Sequence, residues 1–372
     1  MNLRLNGEDS LKAVILAGGF GTRLRPLSCT RPKILFPIVN KPLLQWTFER
    51  LAQNNIDNVI LAVFHQTETH IKHHRVPRYG VHVTYSHDPL RKPLGTGGSI
   101  KKAEKFLGHN APFLVLNGDI FADVNYTEIL KTHKEKNATA TMAVYAVKNP
   151  SRYGVAVLAK DKRITRFIEK PKLEAAPSNL INAGVYVLNP EIFKYIPEGR
   201  AVSIEHEVLP KLAEEGGLYG HVFKGPWMDI GKPEDYLRIN RQMLDLPLYS
   251  QKIKAGNYLE IRNPLAVDKK VTISEKSTIG PYVVLGRNVV IGKHVKIEDS
   301  VVFPETRISD FSSLNGAIIG EGVTIGKRAK IEENCIIGDH ARIRDNISLA
   351  KGVHICPADE VSKSVLTSNH NC

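Results

Sequence analysis

Leu16-Ala-Gly-Gly-Phe-Gly-Thr-Arg-Leu-Arg-Pro26, with Arg31-Pro-Lys33 close behind it, is the stretch around which this 372-residue chain is organised. The apolar run Ala13 to Ala17 reads as a short buried strand that empties directly into Gly18, Gly19 and Gly21. Backbone without side chains approaches a ligand closely and aims successive N–H groups at it, which is how a glycine-rich turn cradles phosphate. Arg23, Arg25, Arg31 and Lys33 set four cations around the same turn, and such cations make charge-assisted contacts to phosphate oxygens. The pattern predicts a polyphosphate site. Walker A is excluded because no Gly-Lys-Ser/Thr follows, and the dinucleotide fingerprint starting at Gly19 finds Leu24 where its third glycine belongs.

The rest of the composition narrows the class of protein. Apolar content of 42% and charged content of 24% are those of an ordinary globular protein, and the length predicts two or three domains. Fifty-one Lys and Arg against 38 Asp and Glu leave a net charge of +13. No basic block or RNA-binding signature accompanies that charge, so small phosphorylated substrates are expected rather than nucleic acid. Cys29, Cys335, Cys356 and Cys372 are scattered with no CxxC pair, which predicts neither a disulfide framework nor a zinc site. The polar N-terminus, and the lack of any run near the roughly 20 apolar residues of a membrane span, predict a cytoplasmic protein without membrane contact.

Taken in order, Lys41-Pro42 predicts the opening of a helix with Leu44, Phe48 and Leu51 on one face, and Val59 to Val63 a strand. This strand, helix, strand succession is the unit of a parallel α/β sheet. His70 and His74 share a helix face, but the metalloprotease glutamate beside the first is absent, so a solvated helix is expected there. Asp88 to Gly98 reads as a long functional loop. Phe113 to Leu116 is a buried strand ending in Asn117-Gly-Asp119, which puts Asp119 at a carboxyl strand end where ligands of open sheets sit. A carboxylate there is a hard oxygen ligand for Mg²⁺, with Asp123 a weaker candidate and a turn or helix cap the competing role. Leu180-Ile-Asn182-Ala-Gly184 is expected to precede a strand, Val185 to Leu188. Asp229, in Trp227-Met-Asp-Ile-Gly-Lys-Pro233, is the second metal candidate.

Further on, Ile273, Ile279, Leu285, Ile291, Ile297 and Phe303, then Ile319 through Ile355, fall every six residues with a break between Phe303 and Ile319. Hexapeptide periodicity is the mark of a parallel β-helix. Thirteen hexads at three per coil predict between four and five coils. Hexapeptide β-helices also resemble acyltransferases, but His294, His340 and His354 read as coil-turn residues, so a scaffold for a homo-oligomer is the favoured role.

LAGGFGTRLRPL with RPK resembles the signature of the nucleotide-sugar pyrophosphorylases, nucleotidyltransferases that join a sugar 1-phosphate to a nucleoside triphosphate. The resemblance runs over about residues 12 to 358. It implies a Rossmann-like, mostly parallel α/β domain over 1–245, a linker over 246–265, a left-handed parallel β-helix of hexapeptide repeats over 266–358 and a mobile tail over 359–372. By the same resemblance Leu16, Ala17, Gly18, Gly19, Gly21 and Thr22 hold the nucleotide, and Gly95, in PLGTGG, meets the base. Arg23 and Lys33 stabilise the departing pyrophosphate, and Asp119 and Asp229 hold Mg²⁺. The Glu-Lys-Pro, Asn-Ala-Gly and Tyr-Gly-Val pieces imply that Glu169, Asn182 and Gly154 meet sugar hydroxyls and Lys170 the sugar phosphate. PLGTGG, INAGVYVLNP, SIEHEVLPKL and PWMDIGKPEDYL point within the family to GTP and mannose 1-phosphate. Glucose 1-phosphate with UTP or dTTP, or a catalytically silent nucleotide-sugar-sensing subunit, are the alternatives.

Overall fold

In this computed structural model, residues 11–19, 21–90, 92–250 and 259–367 are described; residues 1–10, 20 and 91, 251–258 of the expected linker and 368–372 of the expected tail lie outside them. The chain separates into two compact units, Met1–Gly19 with Leu44–Trp227, and Phe20–Leu43 with Met228–Cys372. No helix among the described residues is long and apolar enough to cross a membrane.

The expected first strand is β1 (Lys12–Leu16), its three central residues fully buried. Two short strands follow in the second unit, β2 (Pro37–Ile38) and β3 (Lys41–Pro42), before α1 (Leu43–Gln53). Lys41-Pro42 therefore pairs with β2 instead of opening the helix. The hairpin between them turns on Val39 and Asn40, both at positive φ (46° and 65°), the conformation a two-residue hairpin loop requires. The first unit continues through β4 (Asn58–Val63), α2 (His65–His73), β5 (His82–His87), α3 (Gly95–Leu107), β6 (Phe113–Asn117), β7 (Ile120–Ala122), α4 (Tyr126–Glu135) and β8 (Ala140–Ala146). Then come β9 (Gly154–Leu158), β10 (Ile164–Glu169), β11 (Leu180–Leu188), α5 (Leu209–Glu214) and β12 (Leu218–Val222).

These strands build a nine-stranded sheet in the order β10-β9-β11-β6-β1-β4-β5, with β8 joining β11 to β12. The strands β5, β4, β1 and β6 run parallel, and β11 lies antiparallel to β6. The β11 strand is continuous from Leu180, so Asn182 and Gly184 lie inside it, at the point where its register against β8 shifts. Val14, Ile60, Val115 and Tyr186 from the sheet pack with Ile100, Ala103 and Leu107 of α3 in one core. Burial on that scale is the main source of stability for such a layered unit.

The division between the units falls within β13 (Trp227–Asp229), and in the second unit α6 (Pro233–Leu244) leads to the strands β14 (Glu260–Ile261) through β31 (Glu360–Val361), which form three six-stranded sheets. This is the expected left-handed hexapeptide β-helix, with six coils where the hexads alone count between four and five. Two five-residue steps hide the core positions Ile308 and Leu314, and Ile261, Val267 and Val361 extend the repeat at its two ends. Val302 pairs with Leu285 and Ile319 and fills the core position, so Ile297 to Val302 and Leu314 to Ile319 are each one residue short. Phe303 is thereby turned out of the prism, where its ring meets Phe36 (6.4 Å) and Tyr236 (6.3 Å). One residue of slip exchanges inside for outside because side chains alternate along a strand.

Coil corners are turned by residues at positive φ, among them Asn288, His294, Arg328, Asn334, His340 and Asn346. The glycines two residues earlier serve a different need. A Cβ on Gly292 would lie 2.5 Å from Asp310 Oδ1, and one on Gly326 2.5 Å from Asp345 Oδ1. They are glycine because the next coil passes too closely. His294 and His340 turn coil corners as expected, His294 stacking on Phe311 at 4.8 Å, whereas His354 lies in a strand and not at a turn, where burial holds its imidazole below the usual range. The ladder continues past β31: Val365 donates to Ser348 and accepts from Ala350. Among the described residues Cys29 and Cys335 are free thiols.

Candidate active site

Position in the sheet singles out a candidate site in the first unit. The chain leaves β1 toward β4 and β5 and returns on the other side to β6, so β1 and β6 flank the topological switch point, where ligands bind at carboxyl strand ends. Gly18 and Gly19 leave one strand there, and Asp119 the other. The two ends are tied by the Gly118 N–H donating to the Leu16 carbonyl (2.8 Å), and the Ala17 N–H donates to Ala62 (2.8 Å). Leu16 and Ala17 are thus the last rung of the ladder, and the glycines begin where it stops.

A carboxylate not expected from the sequence stands beside this turn. A Cβ on Gly18 would lie 3.5 Å from Oδ2 of Asp88, the residue that follows β5. Asp88 is buried, which pushes its carboxyl above the usual range, although Ser99 donates to Oδ2. Its Oδ1 has no hydrogen-bond partner. The only trace in the sequence is an Asp-Pro after a strand, because its proximity to Gly18 is created by the parallel pairing of β1, β4 and β5.

The expected loop from Asp88 to Gly98 is shorter, since α3 already begins at Gly95. Gly95 has φ +70°, and a Cβ there would come 2.5 Å from the Val202 carbonyl. That same carbonyl accepts from the N–H groups of Gly97 (2.8 Å) and Gly98 (3.3 Å), and Thr96 Oγ1 donates to Glu205 (2.6 Å). The glycines of PLGTGG are therefore needed for close packing against residues 202–205, while Gly95 remains exposed at the helix start.

Gly154, Glu169 and Lys170 are brought together by the β9–β10 ladder, in which Glu169 faces Gly154. A Cβ on Gly154 would lie 2.6 Å from Glu169 Oε2, and Lys170 Nζ stands 3.2 Å from Oε1. Lys170 is exposed at φ 47°, its N–H held by the Tyr153 carbonyl (3.0 Å). On β11, Asn182 accepts from the Gly184 N–H (3.0 Å) and donates to the Tyr186 hydroxyl (2.7 Å). Gly184, at φ +72°, has no room for a Cβ against the Asn117 side chain (3.0 Å). Asn117 Oδ1 is buried with no partner, a second orphaned acceptor at the switch point.

In the second unit, Gly21 caps a short turn carrying Thr22 and Arg23, and its φ of 63° demands glycine. Its carbonyl accepts from Ser28 Oγ (2.7 Å), and a Cβ there would press on the Lys33 stem (3.0 Å). Lys33 is buried and Arg23 exposed. Arg23 and Asp229 converge on Gly231: a Cβ on that glycine would lie 3.1 Å from Asp229 Oδ2 and 3.4 Å from Arg23 Nη2. Arg31 does not join them. It is buried, paired with Glu321 and 3.6 Å from Asp339, and lies over the Phe303 ring at 5.0 Å. Its charge is committed to the β-helix, so the four expected phosphate cations are reduced by one.

Residues 12–245 match the nucleotidyl transferase family model, and residues 261–370 match the GMPPB C-terminal domain. The chain is 43% identical over 231 residues to mannose-1-phosphate guanylyltransferase catalytic subunit beta of Danio rerio, covering 61% of this chain and 63% of that one. It is 36% identical over 359 residues to mannose-1-phosphate guanylyltransferase 1 of Arabidopsis thaliana, covering 96% and 98%. The fold is similar to that of HddC from Yersinia pseudotuberculosis complexed with GMP-PN, with a TM-score of 0.53 at 29% identity over 62% of this chain and 99% of that one.

Proposed function

Because the chain belongs to the nucleotidyl transferase family, we propose that it joins mannose 1-phosphate to GTP, giving GDP-mannose and pyrophosphate. The observation that carries the reading is the glycine turn leaving β1 beside the end of β6, at the sheet's switch point. The full-length similarity to guanylyltransferases that use mannose 1-phosphate, and the likeness to HddC complexed with GMP-PN, favour this pair of substrates.

In this reading a phosphate oxygen of the sugar 1-phosphate attacks the α-phosphorus of the triphosphate in line. One P–O bond forms, the bond to the bridging oxygen breaks, and pyrophosphate leaves with the electron pair. The nucleophile is already an anion, so the protein's task is positioning and charge stabilisation. Gly18, Gly19, Gly21 and Thr22 present backbone N–H groups to the nucleotide phosphates, Leu16 and Ala17 line the nucleotide beside them, and Gly95 lies at the base. Arg23 and Lys33 balance the charge that builds on the leaving pyrophosphate. Glu169, Asn182 and Gly154 hold the sugar, and Lys170 its phosphate.

Asp119 and Asp229 fit the divalent ion that triphosphate chemistry needs, since both are half-buried oxygen donors. Mg²⁺ held there would neutralise phosphate charge. Cytoplasmic residence and assembly into a homo-oligomer through the β-helix complete the reading.

The test is pyrophosphate release from the purified chain with Mg²⁺, pairing GTP, UTP, dTTP, ATP or CTP with mannose, glucose, galactose or N-acetylglucosamine 1-phosphate. The fastest release is expected with GTP and mannose 1-phosphate. Another winning pair would overturn the substrate assignment and leave the reaction class standing.

A further inference from the structure

The histidine-rich segment after β4 takes no part in the proposed chemistry. His74 Nδ1 is hydrogen-bonded to the His70 carbonyl (2.8 Å), closing the end of α2, so the pair four residues apart is not a chelate. A different set forms at the other end of the same helix. His65 and Glu68 stand one turn apart on α2, and His87 ends the strand beside β4, where it pairs with Val63, two residues before His65.

One donor atom from each of His65, Glu68 and His87 lies within 4.8 Å of the others. His65 Nδ1 is 3.4 Å from Glu68 Oε2, and His87 Nε2 bonds the same oxygen. The other carboxylate oxygen, Oε1, is held by Lys72 Nζ at 2.5 Å. Lys72 thus orients the carboxylate and leaves Oε2 turned to the two imidazoles. Lys102 fixes the His87 backbone by donating to its carbonyl, and the His65 and His87 rings meet edge to face at 4.7 Å. Donors about 2.0–2.2 Å from a tetrahedral ion are about 3.4 Å apart. The 3.4 Å separation already meets that spacing, and exposed His65 is free to close the rest.

We propose that His65, Glu68 and His87 form a site for a divalent transition cation of the Zn²⁺ class. Two imidazoles and one carboxylate are a donor set for zinc and its neighbours, whereas Mg²⁺ prefers oxygen donors alone. A bound ion would clamp the start of α2 to the end of β5, one residue from Asp88.

The experiment is calorimetric titration of chelator-stripped full-length protein with Zn²⁺, beside His65→Ala, His87→Ala and the control His70→Ala, each checked for wild-type thermal unfolding in EDTA. One equivalent is expected to bind wild type and the control alike, with each of the first two substitutions weakening binding at least about tenfold, the loss typical of a disturbed metal shell. X-ray absorption of the loaded wild-type protein, which needs no variant to fold, should show two imidazoles and no sulfur. Absence of binding to wild type, unchanged binding in both His65→Ala and His87→Ala, or a thiolate in the ion's shell would overturn the site.

Discussion

Arg23→Ala is expected to lower turnover by about 10²–10³ while leaving thermal unfolding unchanged, the loss typical when one preorganised charge-stabilising contact is removed from a transition state. The side chain is exposed, so its removal opens no cavity. Its guanidinium lies on the Asp229 side of Gly231, on the turn that Gly21 opens. Arg23→Lys separates charge from geometry. A lysine keeps the positive charge and loses the planar fork that grips two phosphate oxygens, so its turnover should fall between wild type and alanine. Steady-state kinetics on the folded variants decides the matter. Near-normal turnover in Arg23→Ala would remove Arg23 from the chemistry.

For Asp119→Ala the expected loss is also about 10²–10³ in turnover, with a different signature. Asp119 follows the last rung of β6, at the carboxyl end where the sheet's order reverses. If its carboxylate holds a divalent ion, the variant should need a higher Mg²⁺ concentration for half-maximal rate. The Arg23 variant should not. Magnesium titrations of both variants, run with the same substrates, separate the two roles. An Asp119→Ala enzyme with wild-type turnover and magnesium dependence would show that the aspartate only shapes the turn.

What the sequence makes legible is local. The run from Ala13 to Ala17 and the glycines after it are contiguous, so strand and turn can be read in one pass. The hexads are legible for the same reason, since each isoleucine reports the repeat six residues away. Where the period shortens to five at Val302 and Ile319, the eye follows Phe303 because it is apolar and on the expected beat. Only strand pairing reveals that it faces outward.

The remaining features depend on distant partners. Arg31 reads as a phosphate cation beside Arg23 and Lys33, and nothing nearby announces Glu321, almost three hundred residues on. Residues 21–43 pack with the β-helix and with α6 through such pairs: Asn40 donates to the Leu285 carbonyl (3.0 Å), and the Val39 N–H to Asn240 Oδ1 (2.8 Å). Asp88 and Asn117 are ordinary strand-end residues until folding buries an oxygen of each without a partner. His65, Glu68 and His87 likewise become a cluster only because β5 lies beside β4.

The most direct measurement is ³¹P magnetic resonance of the full-length chain with Mg²⁺, GTP and mannose 1-phosphate, with a parallel sample lacking the sugar phosphate. Direct in-line transfer predicts equal amounts of GDP-mannose and pyrophosphate in the first sample. The second should show no exchange of labelled pyrophosphate into GTP. Exchange without the sugar phosphate would require a guanylylated enzyme and contradict direct attack, and unchanged spectra from folded protein in both samples would contradict the nucleotidyl transfer itself.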